Sequence, residues 1–329
     1  IYIREVLISR PMYKYDINRI DKGIINNLIY AKKNSNSLLS LKKKRSHRFK
    51  VFADQNLNIS NVILNRENIT KEWIEGIDFF ICGSDQIWNP TYGTTSELAF
   101  CSFAPEKTVC MSPSFGVSKI PEYREKEYSI WLKKIKALSV REIAGQKIIK
   151  NLTGRMAEVL LDPTMLVSSK TWENICKEPE NKLPDHYIVC YFLGRVDKSY
   201  YKKIRDFSKK KALPVVMLFD ILTPEYYVYD PAEVLYTIKH ADYVLTDSFH
   251  GSVFSILFHK DFYVFTRNEG GLNMNSRIET LLEKFDLNDR LFVGESSDIS
   301  SEKWCLTEHI LENEREKAKN YIEKALDII

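Results

Sequence analysis

Apolar runs alternate along this chain with charged, lysine-rich stretches of helical spacing. IDFFICG (77–83), IKALSVRE (135–142) and AEVLLDP (157–163) read as short buried strands. So do YIVCYFLG (187–194), LPVVMLFD (213–220), ADYVLTD (241–247) and DFYVFTR (261–267). Between them, PEYREKEYSIWLKK, GQKIIKN, DKSYYKKIRDFSKKK, PAEVLYTIKH and GSVFSILFHK suit helices. Strands apolar on both faces and alternating with helices predict an α/β protein with parallel, doubly wound sheets. A strand end followed by a Ser-rich helix cap in DPTMLVSSKTW (162–172) predicts a boundary between two Rossmann-like domains facing a cleft, 1–165 and 166–329. The closing stretch, EHILENEREKAKNYIEKALDI, is a long amphipathic helix whose charges mark a solvated face.

The length of 329 residues suits two such domains, and 44% hydrophobic with 28% charged residues is a globular composition. A net charge of +4 is too small to imply nucleic acid by itself, and neither zinc-finger spacing nor a basic heptad occurs. The six cysteines form no CxxC pair and read as small buried hydrophobes of a reducing compartment. No apolar run approaches the roughly 18 residues that span a bilayer and no signal peptide is visible, so a cytoplasmic protein is expected. The first residue is Ile, and IYIREVLISRP reads as the middle of a chain. LKKKRSHRFK (41–50) is the one dense basic run; it reads as a solvated helix or loop, or as a contact with an anionic membrane surface.

Four places can carry chemistry. In ADYVLTDSFHGSVFSILF a strand ends at DSFHG and a helix begins at once. Ligands of open α/β sheets bind beyond the carboxyl ends of strands, and a helix start favours anions. Gly251 and Ser252 would line that start, with His250 beside it as proton donor or acceptor. The plainer reading is a helix capped by Asp247 or Ser248 with His250 packed nearby. In FFICGSDQIWNPTYG, Ser84, Asp85, Gln86, Trp88 and Asn89 offer the carboxylate, amide and aromatic groups that hold sugars, and Asp85 a base; a tight turn with a core Trp88 is the alternative. In SVRE, Arg141 at a strand end could hold a carboxylate or phosphate, or pair with Glu142 at the surface. In NMNSRIETLLEKFDLNDR, Arg277 sits at a helix start, an odd place for a cation unless an anion or a salt bridge joins it. Arg195, after YIVCYFLG, could also reach the cleft. His186, His240, His259 and His309 lack metal-ligand spacing, and no HExxH, GxSxG or Walker A pattern occurs.

In that order, FFICGSDQIWNP, SVRE, VLLDPTML, the ADYVLTDSFHGSVFSILF block and SRIETLLEKFDLNDR resemble the polysaccharide pyruvyltransferase family, over about residues 40–290. The family's opening Asn-Tyr-Gly motif is absent, and NMNSRI stands where many members carry a cleft lysine, with Arg277 as the substitute. The resemblance implies a GT-B-like pair of domains, with the acceptor on the first and the donor pocket on the second. It implies transfer of pyruvate from phosphoenolpyruvate to two hydroxyls of a sugar, forming a cyclic ketal and releasing phosphate. No cofactor or metal is implied; phosphoenolpyruvate is a co-substrate. The acceptor would be a surface-polysaccharide sugar or a lipid-linked oligosaccharide precursor, an address that the basic run would suit at the inner membrane face. On this reading His250 is the acid/base, and Asp85 deprotonates a hydroxyl. Arg141 and Arg277, with Ser248, Gly251 and Ser252, hold the donor, while Ser84, Gln86, Trp88 and Asn89 hold the sugar. A nucleotide-sugar glycosyltransferase of the same architecture and a non-catalytic sugar-binding protein are the alternatives.

Overall fold

The computed structural model describes residues 35–58, 68–93, 95–194, 196, 198–267, 276–292 and 297–327. The opening segment IYIREVLISRP, Arg195 and the NMN of NMNSRI lie outside the described residues.

The strands form where the long apolar runs predict them, and all the pairings are parallel. In the first half β1 (Phe80–Cys82) pairs with β2 (Thr108–Cys110), and β3 (Ser139–Val140) with β4 (Glu158–Val159). A parallel bridge from Val109 to Ala137 links the two pairs. In the second half β5 (Ile188–Tyr191), β6 (Val215–Leu218), β7 (Tyr243–Thr246) and β8 (Asp261–Val264) form one sheet in the order β6-β5-β7-β8. β2 is the strand that the pattern does not announce; TVC is too short to show a period.

The helices are α1 (Ser35–Asn56), α2 (Lys71–Glu75), α3 (Glu122–Lys133), α4 (Ile143–Thr153), α5 (Ser169–Glu173) and α6 (Lys198–Lys211). They continue as α7 (Pro224–Tyr227), α8 (Pro231–His240), α9 (Phe249–Leu257), α10 (Ser276–Lys284) and α11 (Ser301–Ala325). Helix starts follow capping chemistry. Asp230 and Glu233 close a capping box on α8, with Pro231 in the first turn, and Ser248 caps α9.

β5 shows why its run is apolar throughout. Val189 faces one buried cluster with Val216, Val244 and Phe262, while Ile188 and Cys190 face another with Leu245 and Tyr263. A third cluster, around Trp88, Phe100, Phe115, Tyr128 and Val140, belongs to the first half. Burying a side chain of this size contributes about 1.5–3 kcal/mol, so each half has a core of its own. The closing helix is not only a solvated rod. Ala318 packs with Met111 and Leu160 of the first half, Tyr321 Oη donates to Cys110 O at 2.9 Å, and Lys317 Nζ donates to Val159 O at 3.0 Å.

The basic run lies on α1 and is partly turned inward. Arg45 stacks 4.0 Å above the Phe219 ring, and Arg48 pairs with Asp230 and Glu233. Lys42, Lys43 and Lys44 are exposed. Among the described residues, no helix is long and apolar enough to cross a membrane.

Candidate active site

The site forms where the ends of β1, β3, β4 and β7 meet the starts of α9 and α10. After β1 the chain turns sharply. A Cβ on Gly83 (φ 133°) would fall 2.2 Å from Met111 O, so only glycine fits there. Asp85 follows in the left-handed region at φ 55°, which Asp tolerates better than most residues. Arg141 comes one residue after β3, and Asp162 three residues after β4, its parallel partner. The register sets Arg141 opposite Leu160, and Asp162, two residues further on, reaches back to it. His250 is in the first turn of α9, which starts two residues earlier than the apolar pattern suggests, and Arg277 is in the first turn of α10.

Asp162 is the hub, with its side chain 1% exposed. Its Oδ2 accepts from Arg141 Nη1 and from Ser84 Oγ at 2.6 Å, and lies 3.9 Å from His250 Nε2. Its Oδ1 accepts from the Thr164 backbone at 3.0 Å and hydroxyl at 2.7 Å. The other terminal nitrogen of Arg141 donates to Asp85 Oδ1 at 3.3 Å, and Arg277 Nη1 approaches the same oxygen at 3.8 Å. The Gln86 amide oxygen, turned towards Arg277, accepts from its two terminal nitrogens at 2.6 and 3.0 Å, while the amide nitrogen donates to Tyr92 Oη at 3.1 Å. The opposite amide orientation would accept from Asn89 Nδ2 at 2.7 Å but would set the amide N–H against the Arg277 guanidinium. The Phe249 ring sits under both cations, 4.4 Å from the Arg141 guanidinium carbon and 5.8 Å from that of Arg277.

This crowding moves the titrations. Burial opposes charge on Asp162, but Arg141 and His250, with the bonds from Ser84 and Thr164, hold its carboxyl well below the usual range. Burial also opposes ionisation of Asp85; Arg141, His250 and Arg277 outweigh it and keep that carboxyl low. Asp85 remains accessible to solvent although protein surrounds it on most sides, which describes a recess rather than a projection. Burial lowers the His250 imidazole, as do the two arginines, against the pull of Asp162 and Asp85. Burial and the neighbouring Arg141 lower Arg277 to about 10, which leaves it charged at neutral pH. Arg277 Nε has no hydrogen-bond partner among the described residues.

His250, Arg141, Arg277, Asp85, Ser84 and Gln86 thus converge. Five other candidates, Trp88, Asn89, Ser248, Gly251 and Ser252, do not take the places that the resemblance implies. Trp88 is fully buried, stacked on Phe100 at 4.8 Å with Nε1 bonded to Ala99 O; it is core and offers no face to a sugar. Asn89 is equally buried and ties its turn, with Oδ1 accepting from Thr91 N at 2.9 Å and its carbonyl from Thr95 Oγ1 at 2.7 Å. Ser252 returns its hydroxyl to Ser248 O at 3.2 Å inside the helix, and the Gly251 N–H is taken by Ser248 Oγ at 3.3 Å. Ser248 is thereby the cap of α9, and neither Gly251 nor Ser252 presents a donor to an anion. Gly251 has a packing role instead: a Cβ there would lie 2.4 Å from Thr246 Oγ1.

Glu142 is not a surface partner of Arg141. Its Oε1 accepts from Ser114 Oγ at 2.9 Å and Phe115 N at 3.0 Å, and burial raises its carboxyl. Asp247 is structural too, accepting from Leu193 N, Gly194 N and Arg267. Asp162, Glu142 and Phe249 were not anticipated as part of the site. The four histidines set aside by spacing have ordinary partners: Asp242, Tyr236 O, Glu308 and Asn313.

Two arginines, an imidazole and two carboxylates thus share one recess, between the carboxyl ends of parallel strands and the first turns of two helices. The chain belongs to the polysaccharide pyruvyl transferase family, whose model matches residues 4–269. No curated protein and no solved structure matches the chain.

Proposed function

We propose that the protein transfers pyruvate from phosphoenolpyruvate to two hydroxyls of a sugar in a surface polysaccharide or its precursor, forming a cyclic ketal and releasing phosphate. The observation carrying this reading is the meeting of His250, Arg141 and Arg277, far apart in sequence, around Asp85 and Asp162.

Phosphoenolpyruvate resists attack by alcohols until its C3 methylene is protonated, which makes C2 electrophilic. Arg141 and Arg277 hold its carboxylate and phosphate. His250 delivers the proton to C3. In the free enzyme its imidazole is held low by burial, so the negative donor itself supplies the field that protonates it. Asp85 accepts a hydroxyl proton as the sugar oxygen bonds to C2. Cleavage of the C2–O bond to phosphate and attack by the second hydroxyl complete the ketal. Two hydroxyl protons leave the sugar; in the net balance one is on C3 and the other on phosphate. Ser84 and Gln86 flank the acceptor side. Positioned acid–base catalysis of this kind contributes about 10²–10⁴-fold.

In this reading the two cores are GT-B-like lobes, with the acceptor on the first and the donor held between Arg141 of the first and Arg277 of the second. The work is cytoplasmic, and the exposed Lys43, Lys44 and Lys50 of α1 would face an anionic surface such as that around a lipid-linked acceptor. The test is mass spectrometry of candidate sugars after incubation with phosphoenolpyruvate, with phosphate release in parallel. A mass gain of pyruvate less water is expected. Glycosyl transfer from a nucleotide sugar, with no use of phosphoenolpyruvate, would overturn the reading.

A further inference from the structure

We propose that Asp85 is an exchangeable counter-ion: its carboxylate stands where an anionic group of the donor binds, and the donor displaces it from Arg141 and Arg277. The proposal rests on the phosphoenolpyruvate reading above and adds a second role to Asp85.

The two carboxylates on Arg141 differ in kind. Asp162 is buried, and both its oxygens are occupied by the arginine, two hydroxyls and a backbone N–H. Removing it would strand a buried cation, which is costly. Asp85 is 55% exposed and holds its arginines loosely, with one contact at 3.3 Å and one, at 3.8 Å, beyond hydrogen-bond length. It hangs from a turn whose backbone is already in the left-handed region, outside any strand or helix. Its backbone is tied by Ser114 N, which donates to Asp85 O at 2.8 Å, and besides the two guanidinium groups its carboxylate has the Gln86 backbone N–H.

Charge balance points the same way. With His250 neutral, two guanidinium ions face two carboxylates, and Glu142 behind them is pushed towards its neutral form. A donor with a carboxylate and a phosphate brings further negative charge to the same two cations. It fits electrostatically if Asp85 withdraws and fits poorly if it stays. Arg277 Nε, buried and without a hydrogen-bond partner among the described residues, leaves that cation under-satisfied by the groups beside it.

The exchange has a chemical use. Held by two arginines, Asp85 is a weak base. Released from them, it regains basicity at the mouth of the site, where the sugar hydroxyl must lose its proton. Donor binding then prepares the base as well as the electrophile, and the base stays idle without donor.

Calorimetric titration of phosphoenolpyruvate into wild type and Asp85→Asn tests this. The substitution keeps shape and removes the competing charge at a half-exposed position. The Asp85→Asn variant is expected to bind phosphoenolpyruvate about tenfold tighter, roughly 1.4 kcal/mol, and to lose ketal formation. Inorganic phosphate and pyruvate, titrated separately, show which end takes the place of Asp85: the affinity gain falls on that one. Equal or weaker binding of phosphoenolpyruvate by the variant, with wild type binding normally, overturns the exchange alone. Absence of binding by both overturns the donor reading and the exchange with it.

Discussion

The guanidinium carbon of Arg141 lies 4.4 Å from the centre of the Phe249 ring, so a cation at the edge of the first core rests on an aromatic face from the second. The same ring lies 5.8 Å from the Arg277 guanidinium, so its negative π-face attracts both cations and offsets part of the repulsion between them, which burial strengthens. Desolvated cation–π contacts contribute about 2 kcal/mol or more each. Phe249→Leu keeps apolar bulk and removes the quadrupole. It is expected to raise the apparent Michaelis constant for phosphoenolpyruvate several-fold while leaving the sugar constant nearly unchanged. Steady-state kinetics with each substrate varied in turn checks this.

Trp88 fills the first core against Phe100, Phe115 and Tyr128. Trp88→Ala is expected to cost about 3–5 kcal/mol of stability, read by urea denaturation. Trp88→Phe, which keeps much of the packing, is expected to retain normal sugar affinity. Loss of sugar affinity without loss of stability would restore Trp88 to the acceptor site.

Much of this was legible in the sequence. The β5 run YIVCYFLG is apolar because both faces are covered, and that pattern suffices to announce a parallel sheet. His250, Arg141 and Arg277 stand out because each is a polar group placed at the end of an apolar element. Asp162 was less visible. Its signal lay in strand pairing: Arg141 and Asp162 follow adjacent parallel strands, two residues apart in register, which becomes apparent only once β3 and β4 are paired. Phe249 was hidden among apolar neighbours, since periodicity shows that a residue is buried but not what it is buried against. Trp88 misled for the opposite reason: its type suits a sugar face, and only packing decides which way it turns. Ser252 and Gly251 misled because the Ser248 hydroxyl completes the helix start from within.

Gly251 faces Thr246, whose hydroxyl donates to Tyr191 O at 2.6 Å and accepts from Ser248 N at 2.9 Å. Gly251→Ala forces a methyl into that hydrogen-bonded hydroxyl. It is expected to destabilise the protein by about 1–3 kcal/mol and to lower turnover by shifting His250. Thermal denaturation and turnover of the same preparation check both effects.

His250 titrates below its ordinary value of 6.5 in the free protein, by burial and the two arginines, against Asp162 and Asp85. The unfolded chain therefore binds the His250 proton more readily than the folded one. This contribution to stability is present above the unfolded value and is lost as pH falls through the folded value. Asp162, also lowered, acts with the same sign at more acid pH. An NMR titration of the His250 imidazole is expected to give a midpoint below 6.5 without donor and a higher one with phosphoenolpyruvate. A midpoint that does not rise would remove His250 from the acid role.

The most direct measurement is a crystal structure with phosphoenolpyruvate bound. The account predicts one molecule whose carboxylate and phosphate are held by Arg141 and Arg277, with C3 about 3–3.5 Å from the His250 ring. Donor bound away from either guanidinium, or with His250 on the side remote from C3, would contradict it.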